Sequence, residues 1–244
     1  YLPWKKYFIM RLFAFAILIL TMSIPTTAQN EIMLDLNYLW GGEPFVLGNT
    51  FIQTNGNDIQ IDRCEFYISQ ISITHDNGEI TEINDTWILS NPNEASFSLG
   101  THDINTVSAI TFSVGVEQPV NNNDPTLWPE EHPLSLHIPS MHWGWTSGYR
   151  FVALEGSAGE IPLTEAWEIH ALGNNQYFEQ TIQTGGILAN DELRIGLDVN
   201  VDRFFEGWIP DFGIIAHGES GQIISQVMQN AKNLVFTATD GTVH

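Results

Sequence analysis

Residues Asp58 to Thr74 read DIQIDRCEFYISQISIT, and this segment is the clearest strand signal in the chain. Apolar and polar residues alternate along it, as on a strand whose two faces differ in burial. The phase of the alternation slips near Ser69, which predicts either a β-bulge or two consecutive strands. The sequence Asp76-Asn77-Gly78 follows and is typical of a hairpin turn. We therefore expect this strand to pair with Glu79 to Ile83.

Short segments of the same kind recur on both sides of this strand. They are Glu31 to Leu39, Phe45 to Leu47, Trp87 to Leu89, Ser96 to Leu99, Ala109 to Val116, Tyr149 to Glu155, Ala166 to Leu172, Tyr177 to Gln183, Leu193 to Val201 and Val235 to Thr239. The segments on either side of Gly173-Asn174-Asn175 are expected to form a hairpin. Only Ser220 to Asn233 carries apolar residues at helical spacing. This pattern predicts an all-β protein with a β-sandwich-like architecture and one peripheral C-terminal helix.

The N-terminal residues have the pattern of a secretory signal peptide. Met10-Arg11 precedes the apolar run Leu12 to Leu20, and small residues lead to Ala28. We predict a signal peptide over residues 1–28, with residues 1–9 upstream of a start at Met10, and a single domain over residues 29–244. The apolar run is too short to span a bilayer comfortably. The expected product is a periplasmic or secreted protein without a membrane contact after cleavage.

The charge of the chain limits its partners. It has 8 basic and 29 acidic side chains, and removal of residues 1–28 would leave 5 basic against 29 acidic, a net charge of −24. Such a chain repels nucleic acids and anionic lipids, so we expect neither as a partner. Cys64 is the single cysteine, which excludes an intramolecular disulfide and a thiolate-cluster metal site. We expect it to pack as a small core residue.

Motifs of the common enzyme classes are missing from the sequence. Gly144 to Gly148 (GWTSG) places its serine one position late for a nucleophile elbow. There is no P-loop, dinucleotide-binding glycine motif or HExxH, and we therefore expect a protein that is not an enzyme. Asp198 to Asp202 imitates the start of a calcium loop, but Arg203 and Ile209 stand where that loop needs glycine and glutamate. The acidic composition leaves calcium as an alternative metal elsewhere.

Histidine and tryptophan are concentrated in His132 to Gly156, HPLSLHIPSMHWGWTSGYRFVALEG. His142 in this segment and His170 on a downstream strand both lie among apolar and aromatic neighbours. A neutral imidazole there is a suitable ligand for a soft or borderline metal, and two imidazoles would suffice for Cu(I). The alternative is that both histidines are satisfied packing residues. The remaining histidines outside the segment, His75, His102, His217 and His244, are interpreted as surface or turn residues.

Two tryptophans, Trp143 and Trp145, occupy alternating positions in this segment. We expect one of them to face the core and the other the loop side. An exposed indole could stack on a sugar ring, which is typical of a carbohydrate-binding module. This observation supports the alternative function, a glycan- or protein-binding β module without a metal.

The same segment resembles the signature of a known family. Met141 to Phe151 (MHWGWTSGYRF), with Glu155-Gly156 after it, is similar to the M-[YF]-W-x-W-x-x-G-Y-[KR]-F…[ED]-G pattern of the MbnP-like family. Three further matches support the resemblance. They are Phe66 to Ser69 with a YYIS strand, Phe112 to Val116 and Asn121 with F-x-x-G-V…N, and Ile169 to Gly173 with F-H-L-G plus one residue.

The resemblance implies an exported copper-binding protein, of a family in which some members are encoded beside methanobactin genes. It implies copper held by two histidines and an oxidised tryptophan, kynurenine, which a partner di-haem enzyme of the MauG type produces. His170 is the best histidine match, and Trp143 or Trp145 is the candidate indole. We add His142 as a ligand on chemical grounds and His137 as a reserve ligand. The family's N-H-x-D-P loop reads Asn121 to Pro125 (NNNDP) here, without its histidine.

Overall fold

The structure is a computed structural model that describes residues 29–159, 163–189, 191–210 and 213–239. The predicted signal peptide over residues 1–28 and His244 lie outside the described residues. Within the described part, none of the helices combines the length and apolar character needed to cross a membrane.

Strands make up most of the described chain. They are β1 (Asn30–Trp40), β2 (Glu43–Pro44), β3 (Thr50–Ile52), β4 (Asp58–His75), β5 (Glu79–Ile83), β6 (Ile88–Ser90), β7 (Ser96–His102), β8 (Val107–Val114), β9 (His142–Gly144), β10 (Gly148–Gly159), β11 (Glu165–Leu172), β12 (Phe178–Gln183), β13 (Ile187–Ala189), β14 (Glu192–Asn200), β15 (Ile215–Gly218) and β16 (Phe236–Ala238). The α-helix of the described residues is α1 (Gln222–Asn230), which continues into a π-helical turn at Ala231–Val235.

The strands form two sheets. The smaller sheet has the order β13-β14-β1-β2, with β16 also pairing with β14 and β7 with β1. Its central pair, β1 and β14, is parallel although the two strands come from opposite ends of the chain. The larger sheet has the order β12-β8-β4-β10-β11-β15, with β3, β5 and β6 attached to β4 and β9 attached to β10.

Aromatic side chains join the two sheets. Phe66 and Phe112 of the larger sheet both contact Phe236 of the smaller sheet edge to face, with ring centroids 5.3 and 5.4 Å apart. Each such pair adds about 0.5–1.5 kcal/mol to the stabilisation from burying the rings. The predicted all-β, sandwich-like fold is thus confirmed. Cys64 is fully buried in this core, as expected.

Strand β4 contains the predicted bulge. It runs unbroken, but its register against β8 shifts between Ser69 and Ser72. Gln70 has a φ of 50° and is exposed, whereas Ser69 and Ile71 on either side are buried. The extra residue at Gln70 therefore explains the slip in the alternation. The hairpin to β5 is confirmed as well.

The predicted hairpin between β11 and β12 is wrong. Strand β11 pairs with β10 and β15, while β12 pairs with β8. Ile169 to Leu172 are all buried, so this part of β11 needs cover on both faces and a neighbouring strand on each side. The half-exposed β12 instead extends the sheet beyond β8. The local turn signal at Gly173 was therefore overruled by the burial of β11.

The predicted helix is confirmed, with its apolar stripe facing the core. Ile224, Val227 and Met228 of α1 are buried, together with Ala231 in the following turn. His75, interpreted as a surface or turn residue, begins the β4–β5 turn, where its carbonyl oxygen accepts a hydrogen bond from the Gly78 N–H, but its side chain is not at the surface. His75 is 3% exposed, and its ring nitrogens contact Asp76 Oδ2 at 3.1 Å and Thr81 Oγ1 at 2.8 Å.

Asp76 in the β4–β5 turn provides a test of stability against pH. Burial opposes ionisation of this carboxyl group, but four hydrogen bonds to the carboxylate outweigh burial and hold the pKa of Asp76 below its ordinary value. The donors are the backbone N–H of Asn105, the hydroxyl of Thr106, the ring of His75 and the backbone N–H of Thr106. The carboxylate therefore stabilises the fold fully above its unfolded pKa of roughly 3.9, and this contribution is lost as the pH falls towards the folded pKa.

We expect Asp76→Asn to lower the free energy of unfolding by about 1–2 kcal/mol at neutral pH, a figure reduced for the partial exposure of the turn. The difference between the variant and the wild type should shrink as the pH falls below roughly 4. Thermal unfolding of both proteins across this range is the measurement. A difference that stays constant down to the lowest pH would contradict the assignment.

Candidate functional site

The candidate site lies where β11 and β15 run side by side. Glu168 and His170 are two residues apart on β11, so their side chains project from the same face. His217 occupies the position paired with His170 in the parallel register of β15. The potential ligand atoms of these three residues all lie within 4.8 Å of one another, the one such group found among the described residues. The His170 and His217 rings stack with centroids 4.2 Å apart and planes 12° apart.

Hydrogen bonds hold one nitrogen of each imidazole. His170 Nε2 lies 2.8 Å from Glu155 Oε1, and His217 Nε2 lies 3.1 Å from Glu168 Oε2. His170 Nδ1 is buried and has no hydrogen-bond partner in the described part of the protein. A buried polar atom without a partner is costly. This nitrogen is thus a buried polar atom whose capacity for a hydrogen bond or a metal bond is unused.

Glu155 is held in turn by a buried arginine. Arg63 Nη1 donates to Glu155 Oε1 at 2.6 Å, and its Nε donates to Glu65 Oε2 at 2.8 Å. The hydrogen bond from His170, together with the hydrogen bond and charge of Arg63, outweighs burial and lowers the pKa of Glu155 to about 2. Glu155 is therefore a carboxylate at neutral pH.

Burial and charge keep His217 neutral. Burial lowers its pKa first, and the neighbouring His170 and Arg150 lower it further, against the opposing effect of Glu168. A neutral imidazole keeps the lone pair that a metal ion needs. The electrostatics of the group thus favour a metal ligand over a surface cation.

Trp143 lies beside both imidazoles. Its ring centroid is 5.0 Å from that of His217 and 5.9 Å from that of His170. The guanidinium of Arg150 stacks on the Trp143 indole, with Cζ 4.6 Å from the ring centroid. The same arginine donates to the carbonyl oxygen of Ser140, which precedes β9. These contacts hold an indole that is still 43% exposed.

His142 is not brought to His170. It is the neighbour of Trp143 on β9, and successive side chains of a strand point to opposite faces. Its ring packs against Tyr149, with centroids 4.9 Å apart, and against Trp145 at 6.2 Å. The pairing of His142 with His170 expected from the sequence is therefore replaced by the pairing of His217 with His170. Burial lowers the pKa of His142, whose Nε2 is buried without a partner among the described residues.

The other sequence candidates also lie outside the group. His137 Nε2 contacts the carbonyl oxygen of Pro133 at 2.9 Å in the preceding loop. Trp145 is 64% exposed, so the expectation that one of the two tryptophans faces the core is wrong. Both tryptophans are carried by a three-residue strand and the turn after it at the margin of the sheet, where the core does not reach them.

Asp198, in the segment that imitates a calcium loop, lies on β14 and accepts hydrogen bonds from Asn37 and Thr239, as the interpretation of this segment as a strand expected.

His217 is the residue that sequence reasoning missed. It was interpreted as a surface or turn residue, yet it is partly buried on β15 and stacks on His170. The available signal was the apolar run Ile214-Ile215-Ala216 immediately before it, which is typical of a short strand. Nothing in that run indicates which strand it pairs with.

The long loop after β8 supports the turn that carries the tryptophans. Asn121 is buried, and its Oδ1 accepts a hydrogen bond from the Tyr149 backbone N–H at 2.9 Å. Asn122 Nδ2 donates to the carbonyl oxygen of Trp145 at 3.0 Å. Gly148 has a φ of +74°, and a side chain there would collide with Asn121. The loop and the tryptophan turn are thus packed as one unit.

Comparisons with known proteins agree with this fold. The model of the MbnP family matches residues 29–216, a range that includes Trp143 and His170 and ends one residue before His217. Among solved structures, the chain is similar to the MbnP from Methylosinus trichosporium, with a TM-score of 0.55 and 14% sequence identity over 80% of this chain and 83% of that chain. No curated protein matches the sequence.

Proposed function

We propose, from the premise that this chain belongs to the MbnP family, that it is an exported copper-binding protein without catalytic activity of its own. In this proposal His170 and His217 hold the ion and Trp143 lies next to it. Export rests on the signal-peptide pattern of residues 1–28, and copper rests on the chemistry of the donor set.

One observation supports this function above all. Two imidazoles stack in register on adjacent strands, and a buried nitrogen of one of them has no partner in the described part of the protein. A spread of 4.8 Å among the potential ligand atoms is close to twice a metal–nitrogen bond of about 2.0 Å, so a small adjustment brings them to one ion. Imidazole suits copper, and Cu(I) is satisfied by few ligands. The residues present therefore fit copper, and Glu168 is a third donor for an ion that needs more.

The experiment is a titration of metal-free protein with Cu(I) in competition with a chromophoric Cu(I) chelator. We expect uptake of one equivalent and weaker uptake of Zn²⁺, because zinc prefers four ligands. Absence of stoichiometric uptake of Cu(I) would contradict the proposal. Binding of calcium, the alternative metal, is tested by calorimetric titration of the same metal-free protein.

Trp143 is the indole that we propose as the site of oxidation. It contacts both imidazoles and is partly exposed, whereas Trp145 packs against His142. Conversion to kynurenine opens the pyrrole ring by adding both atoms of one dioxygen, and hydrolysis then releases formate. The net change replaces one carbon by one oxygen and leaves an aniline nitrogen and a ketone near the histidines. A di-haem enzyme of the MauG type is the proposed catalyst that activates the dioxygen, which is itself the oxidant.

We expect the intact mass of protein purified from its native host to show this change, and fragmentation of the tryptic peptide Cys64–Arg150, which contains both Trp143 and Trp145, to place it on Trp143. Trp143→Phe should abolish the change on that peptide, because no oxidisable indole then lies beside the imidazoles. Trp145→Phe is the matched control and should leave the change in place. Modification of Trp145 in the wild-type protein, with Trp143 intact, would contradict the assignment.

A second candidate function, binding of a glycan or a protein, is favoured by the exposure of Trp145. An indole that is 64% exposed and held by Asn122 at its backbone is a suitable stacking surface for a sugar ring. We expect any such ligand to quench the tryptophan fluorescence of metal-free wild-type protein and to have no effect of that size on Trp145→Phe. Equal quenching of both proteins would contradict this function.

A further inference from the structure

Glu155 contacts the imidazole of His170 through Nε2, and not through Nδ1, the nitrogen without a partner. His170 Nε2 and Arg63 Nη1 approach the same oxygen, Oε1, at 2.8 and 2.6 Å. A guanidinium can only donate, and a carboxylate can only accept. The hydrogen in the His170–Glu155 contact must therefore sit on Nε2. In a neutral imidazole this leaves the lone pair on Nδ1.

We infer that Glu155 is a positioning residue that holds His170 in its Nε2–H tautomer and so reserves the buried Nδ1 as the nitrogen presented to the metal. The role of Nδ1 as a metal ligand rests on the proposed function, whereas the tautomer of His170 rests on the hydrogen bonds alone.

Arg63 makes the arrangement rigid. It is 6% exposed and also donates to the carbonyl oxygen of Ser140 at 3.2 Å and to Glu65, so it cannot turn away from Glu155 without breaking several buried contacts. The chain Arg63–Glu155–His170 crosses three neighbouring strands, β4, β10 and β11. The orientation of the His170 ring is thus set by the sheet itself. Second contacts of this kind orient metal-binding histidines and make them more basic.

The other histidines in the described part of the chain lack this combination. His137 has its Nε2 at the carbonyl oxygen of Pro133, but it lies outside the group of possible ligands. His142 has a buried nitrogen without a partner, but the structure shows no carboxylate bonded to its ring. Among the histidines that the structure describes, His170 alone joins an oriented ring, an unused buried nitrogen and a second imidazole in stacking contact.

The first test needs no copper. Long-range ¹H–¹⁵N correlation spectra of metal-free wild-type protein at neutral pH should show His170 as a single Nε2–H tautomer. Glu155→Gln keeps an oxygen acceptor for both donors and should keep this tautomer, whereas Glu155→Ala should give a mixture of tautomers. Glu165→Ala removes the same charge from the exposed start of β11 and is the matched control. An Nδ1–H or doubly protonated His170 in the wild type would overturn the inference, and so would an unchanged tautomer in Glu155→Ala.

The second test uses Cu(I), which is diamagnetic and leaves the ¹⁵N signals observable. Cu(I) should shift the Nδ1 signal of wild-type His170 and leave Nε2 protonated. Glu155→Ala should weaken Cu(I) binding by about 10- to 100-fold and Glu155→Gln by less than about 10-fold, with Glu165→Ala unchanged. Binding through Nε2 would overturn the inference while the proposed function stands. If the wild type takes up no copper, the proposed function fails, and the tautomer spectra still decide whether Glu155 positions the ring.

Discussion

His217→Ala is expected to abolish stoichiometric Cu(I) binding as completely as His170→Ala does. Each substitution removes one of only two imidazoles in the group, and the remaining imidazole with the hard carboxylate of Glu168 does not give a soft ion a second nitrogen ligand. The loss of affinity should exceed the roughly 10- to 100-fold that removal of an outer contact causes. Competition titration with a chromophoric chelator measures it.

His142→Ala and His137→Ala are the controls for this prediction. Both remove an imidazole from the segment that precedes β10, but neither residue belongs to the group around His170. We expect both variants to bind Cu(I) as the wild type does. If His142→Ala loses the copper and His217→Ala keeps it, the pairing expected from the sequence is right and the site described here is wrong.

The largest expected loss of stability comes from Gly156→Ala. Gly156 pairs with Trp167 of β11, and the register of β10 against β4 shifts immediately before it. A Cβ atom at this position would collide with the backbone carbonyl oxygen of Gln60 and lie 2.8 Å from Cζ2 of the fully buried Trp167. Neither the backbone of β4 nor a packed indole can move without disturbing the core.

We expect this single methyl group to lower the free energy of unfolding by about 3 kcal/mol or more, at the upper end of the effect of overpacking. Ser157→Ala on the next residue of β10 is the control, and we expect it to change stability by less than about 1 kcal/mol. Urea denaturation of the three proteins measures both effects. Because Glu155 precedes Gly156, the folded fraction of the variant should also bind Cu(I) more weakly. A stability equal to that of Ser157→Ala would contradict the close approach of β10 and β4.

The Glu155-Gly156 pair was recognised as part of a sequence signature, but its physical roles became clear only in the structure. The resemblance to the MbnP-like signature includes this pair but gives no reason for it. In the structure, Glu155 holds Arg63 and His170, and Gly156 is where the two backbones come too close for a side chain. The pair therefore combines a functional contact with a packing requirement, and neither could be recognised without the neighbouring strands.

Local information was sufficient for the longer elements, but not for the short strands β3, β13 and β15. Alternation identified β1, β4, β10 and β14, the phase slip identified the bulge at Gln70, and helical spacing identified α1. These features depend on residues close together in the chain, whose burial repeats with the period of a strand or a helix. The same local evidence placed His170 on a strand, whereas the resemblance to the MbnP-like signature gave Trp143 as one of two candidate indoles.

The composition of the site was decided by the tertiary structure. His217 joins His170 because β15 pairs in parallel with β11, and a parallel pair requires a long crossover that no local pattern specifies. Trp143 rather than His142 contacts the imidazoles because β9 attaches to β10 in one register, and a shift of one residue would exchange the two faces. The sequence determined which residues could bind a metal, whereas strand pairing between distant segments determined which of them meet.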